Sequence, residues 1–78
     1  MRIREMRLII TFHTTTEAMA FEDAARNAGF GGRLIPVPPA ITAGCGLAWS
    51  EVPAGAKALN QMILEKNLAY DRMEERIV

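Results

Sequence analysis

The only cysteine of this 78-residue chain, Cys45, stands between Gly44 and Gly46. A cysteine reacts as its thiolate, which is the nucleophile in sulfur transfer. The two glycines leave both sides of the thiol open and allow backbone conformations that other residues avoid. This setting predicts a reactive thiol able to bear a persulfide or selenol group. The alternative is a small buried apolar side chain in a tight turn, because free cysteines are often buried.

A second polar group, His13 followed by three threonines, precedes an apolar stripe at helical spacing. Thr14 and Glu17 have the spacing of a capping box, which predicts a helix start. The N–H groups of a first helical turn bind anions and lower the pKa of a nearby thiol. We therefore take His13 as a candidate catalytic residue beside Cys45, or else as a solvated or capping side chain. The candidate binding residues are Gly44, Gly46, Thr14, Thr15 and Thr16, although the threonines also suit a purely structural cap.

The elements that must position these residues follow from the apolar pattern. It predicts strands over residues 7–12, 33–37, 47–52 and 70–78, and helices over residues 15–28 and 55–67. The order β-α-β-β-α-β is typical of a ferredoxin-like α+β sandwich, with two helices on one face of a four-stranded antiparallel sheet. We expect a single domain over residues 1–78, with its core in 7–78 and an N-terminal extension in 1–6.

Two prolines indicate where the second strand lies in this sheet. Pro36 and Pro38 cannot donate to a sheet ladder, so the strand that holds Pro36 should be an edge strand. The ferredoxin-like topology independently places the second strand at an edge and the first at the centre. It also brings His13, the first turn of the first helix and Cys45 to one end of the sheet.

Composition limits the classes of partner. Nine basic residues balance nine acidic ones, so no basic footprint for nucleic acid is present. No apolar run is long enough for a membrane span, and the N-terminal residues lack the pattern of a secretory signal. A lone cysteine forms no internal disulfide, which favours the cytoplasm. His13 and Cys45 are too few ligands for a structural zinc site, so we expect neither a metal nor a cofactor.

The segment from Ile35 to Ala48, IPVPPAITAGCGLA, carries a family resemblance. Its Pro-x-Pro stretch leading to Cys-Gly-Leu-Ala resembles the family described as "Putative Se/S carrier protein-like". The stretch from Thr16 to Glu22, with Phe30, fits the earlier part of that pattern. The resemblance covers roughly residues 7 to 70, and Pro39 stands where members often have an arginine.

This resemblance implies that Cys45 carries sulfur or selenium, with donor and acceptor proteins as partners. It suggests a carrier or accessory protein rather than a stand-alone enzyme. A second hypothesis is a non-catalytic interaction or assembly module that dimerises through its sheet face. On that hypothesis Ile9 and Trp49 would contribute to an apolar patch.

Overall fold

A computed structural model describes residues 5–38, 41 and 45–77 of the chain. The elements in chain order are β1 (Met6–Thr11), α1 (Thr15–Asn27), β2 (Arg33–Pro36), β3 (Leu47–Glu51), a 3-10 turn (Pro53–Gly55), α2 (Ala56–Lys66) and β4 (Arg72–Ile77). In this described part, four strands form one antiparallel sheet in the order β2-β3-β1-β4. The fold is therefore the expected ferredoxin-like α+β arrangement, with β1 inside the sheet and β2 at an edge.

The proline argument for the β2 edge is confirmed by the hydrogen bonding of Val37. Its N–H donates to the Gly46 carbonyl at 3.0 Å, on the β3 side. Because successive N–H positions of an extended chain alternate, the nitrogens of Pro36 and Pro38 point away from β3. The missing donors thus fall at the open edge, where they cost no ladder bond.

The first helix ends at Asn27, one residue before the predicted end, and a glycine cap follows it. Gly29 has a φ of 87°, in the left-handed region that favours glycine. Phe30 N–H donates to the Ala25 carbonyl at 3.0 Å, and Gly29 N–H donates to the Arg26 carbonyl at 3.1 Å. These two bonds make a Schellman motif, which satisfies carbonyls at the helix end.

Both helices pack on one face of the sheet, and the core lies between them and the strands. Its buried members are Leu8, Ile10, Phe12, Ala18, Phe21, Ala25, Trp49, Leu59, Met62 and Ile63. The Phe21 ring lies 5.3 Å from Phe12 and 5.6 Å from Trp49 between centroids, in tilted pairs. Such tilted aromatic contacts add to the apolar burial that stabilises a domain this small.

The sheet face without helices does not carry the apolar patch of Ile9 and Trp49 that the sequence predicted. Ile10 pairs with Trp49, so the indole lies on the helix side, where it is fully buried. Ile9 does lie on the other face, but it is also fully buried, in a small cluster with Ile41 and Ala48. The predicted patch is therefore wrong, since the two residues lie on opposite faces and neither is exposed.

Candidate functional site

The candidate thiol lies at the start of β3, at the end of the sheet where α1 begins. Ala48 pairs with Thr11, the last residue of β1, so Cys45 precedes the strand at the level where β1 gives way to the helix. Gly46 has a φ of 78°, a conformation that favours glycine at this position. The other flanking glycine, Gly44, and the family-variable Pro39 lie outside the described residues.

Cys45 is half-buried as a residue and belongs to no disulfide. It packs at the margin of the helix-side core. Leu47 N–H donates to Sγ at 3.4 Å. The thiol in turn donates to the Leu47 carbonyl oxygen at 3.6 Å. Cys45 is thus neither sealed in the interior nor free of the backbone.

These two backbone contacts act differently on the two forms of the sulfur. A hydrogen bond from Leu47 N–H strengthens when the sulfur becomes negative, as charge-assisted bonds do. The contact with the carbonyl needs the thiol proton and is lost in the thiolate. The backbone therefore offers one donor that can hold a sulfur anion in place.

The three threonines have separate roles at the start of α1. Thr14 is the N-cap, and its hydroxyl accepts from Glu17 N–H at 3.2 Å. Thr15 and Thr16 are exposed in the first turn. The predicted capping box forms with a shift of one residue, because the Glu17 carboxylate accepts from His13 N–H at 2.8 Å rather than from Thr14. That any of the three binds an anion stays a prediction.

His13 lies between two carboxylates. Its Nδ1 is 3.1 Å from Glu17 Oε1, and its Nε2 is 3.3 Å from Asp71 Oδ1. Asp71 precedes β4, whereas Cys45 precedes β3 on the other side of β1. One ring nitrogen is therefore occupied by α1 and the other by the residue before β4, and the role of His13 toward the thiol stays a prediction.

Hydrogen bonding stabilises the negative charge of Glu17 at the start of α1. The His13 backbone N–H, more than any other contact, holds the pKa of Glu17 below its ordinary value. Partial burial opposes this effect, and the His13 ring adds to it. Glu17 is thus a stable anion at neutral pH, which suits the positive end of the α1 dipole.

Sequence reasoning missed two features of the site. Asp71 as a partner of His13 had no local signal, because 58 residues separate them and only strand pairing brings them together. Leu47 contributes backbone atoms, which any residue type would supply. Glu17 was predicted as part of a capping box, and its contact with the His13 ring could have been found too, since the two residues are four positions apart.

Two further properties bound the site. Among the described residues, no group of three or more His, Cys, Asp or Glu side chains is arranged to hold a metal ion. None of the helices in the same residues has the length and apolar character needed to cross a bilayer.

The fold and the site together define a small α+β domain that presents one half-buried thiol at an end of its sheet. The model of the family described as "Putative Se/S carrier protein-like" matches residues 7–75, which is most of the chain. The chain therefore belongs to that family. No curated protein and no solved structure gives a significant match.

Proposed function

We propose that this protein carries one sulfur or selenium atom on Cys45 between a donor protein and an acceptor protein. The observation that supports the proposal most is the half-buried Cys45, whose sulfur accepts from the Leu47 N–H, in a chain of the carrier-like family. A persulfide extends the side chain by one atom. The exposed Gly46 beside the thiol adds no side chain that would obstruct this atom.

Loading is a thiol exchange in which no electrons are gained or lost overall. The Cys45 thiolate attacks the outer sulfur of a persulfidated cysteine on the donor. The new S–S bond forms as the old one breaks, and the electron pair leaves with the donor cysteine as its thiolate. Cys45 then bears the persulfide. With a perselenide donor, the same balance transfers selenium.

Unloading repeats the exchange in the other direction. A nucleophile of the acceptor, such as a thiolate, attacks the outer sulfur of the Cys45 persulfide and releases Cys45 as a thiolate. The leaving sulfur gains negative charge at this moment, and the Leu47 N–H lies where it can stabilise that charge. The step needs neither a metal nor an organic cofactor.

Incubation with a cysteine desulfurase and cysteine tests the proposal by intact-protein mass spectrometry. We expect an adduct of one sulfur atom on the wild type that a reductant removes. Cys45→Ala should show no adduct while keeping the fluorescence of the buried Trp49, which reports an intact core. Absence of the adduct on the folded wild type, or its persistence in Cys45→Ala, would exclude Cys45 as the carrier.

A further inference from the structure

The two edges of the sheet differ in their capacity to pair with another strand. On the β2 edge, the nitrogens of Pro36 and Pro38 face outward and carry no hydrogen. Two of the hydrogen-bond donors that an added strand would need are therefore absent there. The β4 edge, Arg72–Ile77, contains no proline. The β4 edge is therefore the better suited of the two to pair with an added strand.

The register fixes which residues of β4 point their backbone outward. Since Val37 and Gly46 form a hydrogen-bonded pair, alternation makes Ile10 and Trp49 such a pair across β1 and β3. Continued into the β1–β4 ladder, alternation makes Ile9 and Glu74 a hydrogen-bonded pair. The β4 residues that direct N–H and C=O toward β1 are Arg72, Glu74 and Arg76. Those that direct them to the open edge are Met73, Glu75 and Ile77.

We propose that two copies of this chain pair antiparallel through their β4 edges, with the two-fold axis at Glu75. In this register Met73 of each copy lies opposite Ile77 of the other, and the outward N–H and C=O groups of both residues find partners. Glu74 of each copy lies opposite Arg76 of the other, on the face without helices. The two apolar pairs and two opposite-charge pairs complement each other on the two faces.

Neighbouring registers are less complementary. An axis at Glu74 would set Arg72 against Arg76 and Glu74 against itself, and an axis at Met73 would set Glu75 against Asp71. Like charges directly opposite each other destabilise a strand pair. The Glu75 register keeps one such pair, Glu75 with its own copy at the axis, which makes the dimer weak and dependent on concentration.

The existing contacts of β4 agree with this pairing. Within one chain, Arg76 Nε lies 2.8 Å from Glu74 Oε1 on the same face. In the dimer each Glu74 carboxylate would lie beside the Arg76 of its own copy and that of the other, so the two ion pairs become a network of four charges. Ile77 and Met6 are opposite each other and both half-exposed, which leaves apolar surface at this corner for the second copy.

Sedimentation equilibrium over a range of protein concentrations tests the proposal on the full chain. We expect a reversible monomer–dimer equilibrium for the wild type. Glu75→Pro should stay monomeric yet folded, because the N–H it removes faces the open edge; Glu74→Pro should instead lose a ladder bond to β1 and stability. Glu75→Gln should tighten the dimer, by about fivefold at most, because it removes the like-charge pair at the axis.

If Glu75→Pro fails to fold, exchanging the charges of Glu74 and Arg76 provides a second test. Arg76→Glu should weaken the dimer, and the double variant Glu74→Arg/Arg76→Glu should restore it. A wild type and a Glu75→Gln variant that are both monomeric at all concentrations would overturn the proposal. A dimer that persists in folded Glu75→Pro, or whose dissociation constant does not change in the two charge variants, would mean that the interface is not the β4 edge. None of these outcomes depends on Cys45, so carrier function and dimerisation are tested separately.

Discussion

A buried hydrogen bond between Trp49 and Glu51 determines the residue type at position 32. The indole Nε1 donates to Glu51 Oε1 at 3.1 Å, and both side chains are buried on the helix side. A Cβ added at Gly32 would lie 2.7 Å from that carboxylate oxygen, 2.8 Å from the indole nitrogen and against the Ser50 carbonyl. Gly32 is therefore needed because no side chain fits between its backbone and this polar pair.

Gly32→Ala should lower the free energy of unfolding by about 1–3 kcal/mol, since the added methyl group forces backbone or the buried pair to move. The matched control is Gly31→Ala, where an added Cβ meets nothing within 4 Å. Urea unfolding followed by Trp49 fluorescence measures both. Equal stability of the two variants would mean that the Trp49–Glu51 pair yields without cost.

The first turn of α1 links the fold to pH through Glu17. The pKa of this carboxyl is lowered in the folded chain, chiefly by the His13 N–H. A lowered folded pKa adds stability above the unfolded pKa of about 4.3, and this stability is lost as the pH falls through the folded value. The effect is small, because the pair is exposed to solvent.

We expect the stability difference between wild type and Glu17→Gln to shrink as the pH falls from neutral to about 3. Glu65→Gln, at an exposed position of α2, is the matched control for the loss of one carboxylate. Thermal unfolding at several pH values measures all three proteins. A difference that stays constant or grows toward acid would contradict the direction of the Glu17 shift.

Elements with a local chemical cause could be predicted from the sequence. Thr14 capped the first helix, Gly29 ended it, and proline placed β2 at an edge, because each effect depends on residues within a few positions. The last strand was less clear, since Asp71, Glu74 and Glu75 are acidic. Asp71 precedes β4, Glu74 lies on the face without helices, and Glu75 is exposed on the edge strand, so none of the three charges opposes the strand.

Features that depend on the whole molecule could not be predicted in the same way. Ile41 covers Ile9 from a segment more than thirty residues away, with no local pattern to indicate it. The side of Trp49 follows from its pairing with Ile10, which is a matter of register between distant strands. Cys45 could be named as a candidate from the sequence, but its contacts with the Leu47 backbone depend on where β3 begins.

The accessibility of Cys45 can be separated from global unfolding with the variant that loosens the core. If the thiol reacts only after the domain unfolds, a loss of about 2 kcal/mol raises the unfolded population, and the alkylation rate, about thirtyfold. We expect iodoacetamide to modify Cys45 of wild type and Gly32→Ala at nearly equal rates at neutral pH, because Cys45 is only half-buried and its modification should need local opening at most. Mass spectrometry at timed intervals gives both rates. A rate that rises in proportion to the unfolded population would mean that the native thiol is closed to reagents, and a carrier role would then require a partner to open it.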